Sequence, residues 1–275
     1  METQTYNPAR FASYANRSAE KNSAYMLPLL ANKTRMHILD VGCGPGSITA
    51  GLASRVLGAD GSVIGVDANA SAIDSARALC VQQGLDNISF LVCDALKLPF
   101  ADDAFDVVHA HQVLGHLPAA TEEESGPVRG LKEMRRVCKP GGFVCAREVE
   151  WSSAVVYPYI QGVNESMCLL AKLARHDGKT QAGGRGREFA RRAGFRPEDI
   201  MASASPVTYA NKDDRAWWGE NMAARLEASG TLEKGVRLGF VTEEMAAKMT
   251  GAWREWAKHE DGFFNLTDGE IICRK

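Results

Sequence analysis

Apolar positions in the first half of the chain switch repeatedly between two periods. Met36–Val41 is apolar at nearly every position, as expected of a short strand covered on both faces. Ile48, Leu52 and Val56 then recur every four residues, which is one face of a helix. Ser62–Asp67 reads as a second strand that ends in an acid. Ile73, Ala76 and Cys80 trace the next helix, with Gly84 at its C-terminal cap. Ile88, Phe90 and Val92 alternate into Asp94, and Phe105–His111 forms a fourth strand after a turn built on Leu98-Pro99-Phe100 and Asp102-Asp103. Val128, Leu131, Met134 and Cys138 mark the buried face of a helix over 127–138, with Arg129, Lys132, Arg135 and Arg136 outward. Lys139-Pro140-Gly141-Gly142 ends it, and Phe143–Glu150 is the fifth strand.

Strands that alternate with helices pair in parallel through right-handed crossovers, so the pattern predicts an α/β fold with an open, doubly wound, mostly parallel sheet. The second half is more helical. Helices are expected over 159–174 and 187–193, a sixth strand over 200–209, helical apolar faces at Trp217, Trp218, Met222 and Leu226 and at Met245, Met249, Trp253 and Trp256 after a Thr242 cap, and a last strand over 270–274. Three segments follow. Residues 1–34 form an N-terminal helical arm in which Phe11, Tyr14 and Ala15 precede Tyr25, Leu27, Leu29 and Leu30. Residues 35–150 form a cofactor-binding core. Residues 151–275 complete the sheet, with strands near 200–209 and 270–274 and a helical lid near 211–261.

The chemistry centres on Asp40-Val41-Gly42-Cys43-Gly44-Pro45-Gly46. Glycines lack a Cβ, so a loop with one at alternate positions can turn sharply and let its backbone approach a ligand at the start of the following helix. Open α/β sheets bind ligands at the carboxyl ends of their strands, where Asp40, Asp67, Asp94 and His111 all fall. Asp67 lies about twenty residues past the loop, the spacing at which an acid accepts hydrogen bonds from ribose hydroxyls. A dinucleotide loop would read G-x-G-x-x-G; this one reads G-x-G-x-G and follows an acid that would repel a diphosphate. A nucleoside cofactor with a positive or zwitterionic end suits it better.

Composition narrows the partners. The 275 residues carry a net charge of -2, with 45% hydrophobic and 24% charged positions. No whole-molecule field favours a polyanion, so a small-molecule partner is expected and nucleic acid is not. The seven cysteines are scattered without a Cys-x-x-Cys pair, which suits a reducing, cytoplasmic setting. No run approaches the roughly 18 apolar residues of a membrane span. A monomer or homodimer is expected.

Asp40-x-Gly42-x-Gly44-x-Gly46, Asp67, Cys93-Asp94-Ala95 and Leu131-Lys132-Glu133-Met134-Arg135-Arg136-Val137-Cys138-Lys139-Pro140-Gly141-Gly142 together resemble the class I S-adenosylmethionine-dependent methyltransferases, within them the type 11, ubiquinone/menaquinone-biosynthesis-like group. The resemblance spans residues 36–150 and implies a seven-stranded Rossmann-like methyltransferase sheet. It implies S-adenosyl-L-methionine as cofactor, S-adenosyl-L-homocysteine as product, and transfer of a methyl group to an acceptor. Gly42 and Gly44 would pass beneath the methionine part, with Asp40 ordering the loop and its ammonium contacts and Cys43 and Gly46 completing it. Asp67 beside Ala68 would hold the ribose, Asp94 and the Ala95 backbone would meet the adenine, and His111 and Gln112 would border methionine and acceptor.

Methyl transfer requires alignment of the acceptor and exclusion of water, with a base only where the acceptor must lose a proton. His111 and His116 are the candidates for that catalytic role, ahead of Glu148 and Glu150. His109, His111 and His116 could suggest a metal, but no carboxylate or cysteine at ligand spacing completes a site, and none is expected. Arg185, Arg187, Arg191, Arg192 and Arg196 read as a solvated helix face or as a grip for an acidic substrate group. Tyr14, Glu148, Trp151 and Trp218 are candidates for the substrate pocket. The expected acceptor is a small, largely apolar or aromatic metabolite, because the bulky segment before the last strand exceeds what a quinone methyltransferase requires. The alternatives are a methyltransferase-like scaffold that binds the cofactor for a binding or cyclisation role, and an RNA or protein methyltransferase, which the near-neutral charge disfavours.

Overall fold

The computed structural model describes residues 14, 16–31, 33–56, 60–118, 125–177, 182–228 and 230–275. Phe11 and Ala15 of the expected arm lie outside them. In chain order the elements are α1 (Ala19–Asn22), a 3-10 turn (Leu27–Leu30), β1 (His37–Val41), α2 (Ser47–Ala53), β2 (Ser62–Asp67), α3 (Ala70–Gln83), β3 (Ile88–Val92), β4 (Phe105–His111), a 3-10 turn (Leu114–His116), α4 (Gly126–Val137) and β5 (Cys138–Tyr157). There follow α5 (Val163–His176), α6 (Gly186–Arg192), a 3-10 turn (Pro197–Asp199), β6 (Ile200–Tyr209), α7 (Lys212–Ala228), α8 (Thr231–Arg237), α9 (Glu243–Lys258) and β7 (Phe263–Arg274).

The strands form one seven-stranded sheet in the order β3-β2-β1-β4-β5-β7-β6. β3, β2, β1, β4 and β5 pair in parallel, with Leu39 opposite Ile64 on β2 and Val108 on β4. β7 runs the other way. Its residues meet β5 at Gly142/Lys275 and Ser153/Thr267, and β6 at Ser203/Glu270 and Thr208/Asn265, so numbers rise on one strand as they fall on the other. Chain order reverses between β1 and β4, which sets the ligand crevice at their carboxyl ends.

The period of two in β1 and β4 builds the two layers around the sheet. Leu39, Val41, Val108 and Ala110 pack on one face with Leu131, Met134 and Phe189. Ile38 and Val107 pack on the other with Met26, Leu30, Ile48 and Leu52. Each such side chain, fully buried, contributes roughly 1.5–3 kcal/mol relative to exposure. Asp40, His109 and His111 share the second face by the same alternation, in register with Ile38 and Val107.

Helix ends follow local chemistry. Asn69 caps α3 by accepting from the Ser71 and Ala72 amides at 2.9 and 3.4 Å, and Thr242 caps α9 through Met245 at 3.2 Å. Two strands exceed their predicted lengths. β5 includes Lys139-Pro140-Gly141-Gly142, read from sequence as a stop, because the Gly141 amide donates to Lys275 O at 2.7 Å and the Lys275 amide to Gly142 O at 3.0 Å. β7 begins at Phe263 because Phe264, Leu266, Asp268 and Glu270 alternate inward; the buried acids disguise an apolar period.

The chain divides into two compact units. Among the described residues, the core unit comprises 14–149, 182–204 and 269–275, and the second comprises 150–177 and 205–268. Residues 16–31 of the expected arm and residues 182–204 fall in the core unit. In the second unit, α7 and α9 pack around Trp253, Trp256 and Phe264, with Trp253 Nε1 donating to Ser166 Oγ at 2.8 Å. Among the described residues, no helix is long and apolar enough to cross a membrane.

Candidate active site

The glycine loop joins β1 to α2 in the core unit. Gly42 and Gly44 have φ values of +67° and +53°. A Cβ at Gly42 would fall 2.3 Å from Val113 Cγ2, so glycine is needed there for space as well as conformation. A Cβ at Gly44 would meet nothing within 4 Å: that position opens on free space beside the loop. Asp67, at the end of β2, holds the loop from the side. Its carboxylate accepts from the Gly44 amide at 2.9 Å and from the Asn69 amide at 2.9 Å. Burial raises its carboxyl above the usual range, against the pull of those two amides. Cys43 is buried, its thiol pushed well up by burial and by the charges of Asp40 and Asp67. Ala68 is exposed, and Asp94, also exposed, accepts from the Leu96 amide at 2.8 Å in the turn that presents Ala95.

Asp40 does a different task. It is 2% exposed, and both carboxylate oxygens are engaged: Thr49 Oγ1 donates to one at 2.6 Å, and His109 Nδ1 lies 2.7 Å from the other. The carboxylate can only accept, so Nδ1 carries the proton, and Nε2 meets the Ser23 hydroxyl at 3.1 Å. Ser23, His109, Asp40 and Thr49 are all buried, and their chain ties the N-terminal segment, β4, β1 and α2 together directly beneath the loop.

His111, one pair further along β4, has no such partner. It is 4% exposed and neither ring nitrogen has a hydrogen-bond partner among the described residues. Burial, aided by the positive field of Arg17, His109 and Arg147, drives its pKa well below the usual imidazole value and keeps it neutral. Gln112 follows with φ +54°; its amide donates to Arg147 O at 2.7 Å, and its side-chain oxygen accepts from Arg17. The Arg17 guanidinium lies 4.5 Å from the Tyr14 ring centroid, and Tyr14 O accepts from Ser47 Oγ at 3.1 Å, so Tyr14 and Arg17 sit against the start of α2 and the end of β4. Glu148 is buried and accepts from the Val113 and Leu114 amides, both at 2.7 Å, and from Gly115 at 3.3 Å. It fixes the turn after His111. His116, at the end of that turn, is exposed.

Trp151 and Trp218 belong to the second unit. Arg225 lies over Trp151 at 5.7 Å, and Trp218 is buried and stacked on Tyr209 at 4.3 Å. The substrate-pocket candidates therefore divide, with Tyr14 and Glu148 in the core unit. Of the basic run, Arg185 and Arg192 pair with Glu188, Arg196 with Asp199, and Arg187 donates to Ile200 O and Pro197 O. Among the described residues, no group of three or more His, Cys, Asp or Glu could hold a metal.

A family model described as a methyltransferase domain matches residues 32–191. An uncharacterized methyltransferase of Schizosaccharomyces pombe is 35% identical, over 96% of this chain and 92% of that protein. The chain belongs to the S-adenosylmethionine-dependent methyltransferase family. This methyltransferase is also similar to a probable methyltransferase, ltbC, of Aspergillus luteorubrus, 28% identical over 99% of this chain and 96% of that one. It shares its fold with the Haemonchus contortus phosphoethanolamine N-methyltransferase 2 solved in complex with S-adenosyl-L-methionine, with a TM-score of 0.55, 18% identity, and coverage of 93% of this chain and 52% of the other.

The residues of this methyltransferase fit that cofactor. The open position at Gly44 leaves room against the loop that any Cβ would occupy, and acids at the ends of β2 and β3 suit a nucleoside better than a diphosphate. Sequence reasoning missed Ser23, Thr49 and Arg17, whose roles depend on contacts between segments distant in sequence. His109 and Asp40 could each be seen in the sequence as an ionisable residue within a buried strand, but their contact with each other and with Ser23 could not.

Proposed function

We propose that this methyltransferase acts on a small, largely apolar or aromatic metabolite whose acceptor atom gives up a proton, and that His111 receives that proton. The observation that carries the reading is His111 itself: a buried imidazole with two unsatisfied nitrogens, at the carboxyl end of β4. A buried polar group without a partner is uncommon, and a substrate group is a natural one. When bound, S-adenosyl-L-methionine supplies an electrophilic methyl on a sulfonium. The chain then has to hold, orient and keep dry. Asp67, braced by the Gly44 and Asn69 amides, would accept from the ribose hydroxyls; Asp94 and the Ala95 backbone would meet the adenine edge. Gly42, Cys43, Gly44 and Gly46 would floor the methionine part, and Asp40 would act from below by fixing α2 and β4 rather than by touching ligand.

The net charge of -2 gives no attraction for RNA. The test is formation of S-adenosyl-L-homocysteine on a panel of phenols, quinols, small alcohols, peptides and RNA. Turnover is expected on small aromatic or apolar acceptors, with His111→Asn lowering kcat by about 10²-fold or more while cofactor affinity holds. Turnover confined to RNA or peptides, or an undiminished rate in the His111→Asn variant, would overturn the proposal.

A further inference from the structure

The core unit holds a second concave site, far from the glycine loop. A cavity of about 480 Å³ is lined by Arg135, Phe195, Arg196, Asp199, Arg274 and Lys275. It lies where β5 begins and β7 ends. β5 runs from there to Arg147, the residue opposite His111, so roughly 20 Å of strand separates the cavity from the acceptor end of the cofactor site.

The ionic pairing around this cavity is unequal. Lys275 pairs with Asp103 at 2.6 Å, and Arg196 with Asp199 at 2.5 Å and Glu198 at 3.7 Å. Next to them, Arg136 is matched by Glu133 and Asp102, and Lys139 by Asp106. Among the described residues, Arg135 and Arg274 have no carboxylate partner. The contrast between Arg135 and Arg136, adjacent on α4, is sharp: every nitrogen of Arg136 donates to an acceptor, while Arg135 Nε is buried with none. The Arg135 guanidinium lies 5.6 Å from the Phe195 ring centroid, and a Cβ at Gly194 would touch its Nη1 at 3.8 Å. The plane is thus held in place by packing rather than by an anion of this chain. That packing closes Nε off from the cavity and leaves the two terminal nitrogens, which have no acceptor among the described residues, to meet the oxygens of a phosphate together with the exposed Arg274.

We infer that this cavity binds a phosphate dianion between Arg135 and Arg274, either inorganic phosphate or the phosphoryl group of a small metabolite, at a site separate from that of the cofactor. The two guanidiniums balance its charge, and the cavity is large enough to hold an organic group as well. Binding there stabilises the fold by mass action.

The test is calorimetric titration of the full chain with inorganic phosphate and, separately, with glycerol 3-phosphate, in buffers of matched ionic strength. Saturable binding is expected from at least one, and a much tighter phosphomonoester would identify a metabolite rather than free phosphate as the occupant. Arg135→Gln/Arg274→Gln should weaken that binding by about tenfold or more. The same variant should bind S-adenosyl-L-methionine as the wild type does, which verifies folding and separates this site from the cofactor reading. No saturable binding of either phosphate up to tens of millimolar, or unchanged binding by the double variant, would overturn the inference.

Discussion

Replacing His109 with leucine tests the role given to the buried chain beneath the glycine loop. The substitution removes the 2.7 Å contact to Asp40 and the 3.1 Å contact to Ser23 together. Asp40 keeps only the Thr49 hydroxyl on a carboxylate that is 2% exposed. A hydrogen bond to a charged group contributes about 1.5–3 kcal/mol, and the stranded Ser23 hydroxyl adds about 1 kcal/mol or more. Leucine packs well among Ile38, Val107 and Cys145 and recovers part of this, so a net loss of about 3 kcal/mol is expected. The assay needs care in its probe. All five tryptophans, at 151, 217, 218, 253 and 256, lie in the second unit, so their fluorescence would report the wrong part of the chain. Urea unfolding followed by far-UV circular dichroism, with amide exchange read at β1 and β4, reports the core. Asp40→Ala and the double variant complete a cycle in which the two losses should overlap by about 2 kcal/mol. A single-variant loss below about 0.5 kcal/mol, or losses that add within that margin, would refute the chain as a structural unit.

Gly44→Ala should abolish detectable S-adenosyl-L-methionine binding for a stability loss of only about 1–2 kcal/mol, since its Cβ enters open space; Gly42→Ala, which meets Val113, should lose stability far more. Thermal midpoints measured beside titrations separate the two. The depressed pKa of His111 means that the unfolded chain binds a proton near pH 6.5 that the folded chain refuses, so stability falls as pH drops below 6.5 and is fully present above it. The slope difference between wild type and His111→Gln should approach about 1.4 kcal/mol per pH unit in that window, and identical slopes would count against a buried neutral imidazole. Glu148→Gln leaves one acceptor oxygen for three amides and should cost about 1.5–3 kcal/mol, with faster amide exchange at residues 113–115 as its local signature.

The parallel half of the fold was legible because its strands are short, apolar and punctuated. The Gly84 and Thr242 caps fell where the pattern put them. β7 was underestimated because Asp268 and Glu270 occupy inward positions that an apolar period cannot register, and β5 because Pro140-Gly141-Gly142 looks like an end although partner strands hold it. α8 was missed altogether; Thr231–Arg237 offers two turns with little periodic signal. At the site, the glycines and the acids at the strand ends could be read from spacing. What Asp40 does could not, since Thr49, His109 and Ser23 meet it only through the alternation of two strands and the return of the N-terminal segment.

The central claim is that the loop from Gly42 to Gly46, braced by Asp67, is the cofactor site of this methyltransferase. Isothermal titration of the full chain with S-adenosyl-L-methionine, beside Asp67→Ala and Gly44→Ala, tests it most directly. One site per chain with saturable heat in the wild type, and no saturable heat in either variant while circular dichroism remains that of the folded protein, is the predicted result. Binding that survives both substitutions undiminished, or a folded wild type that gives no heat, would contradict it.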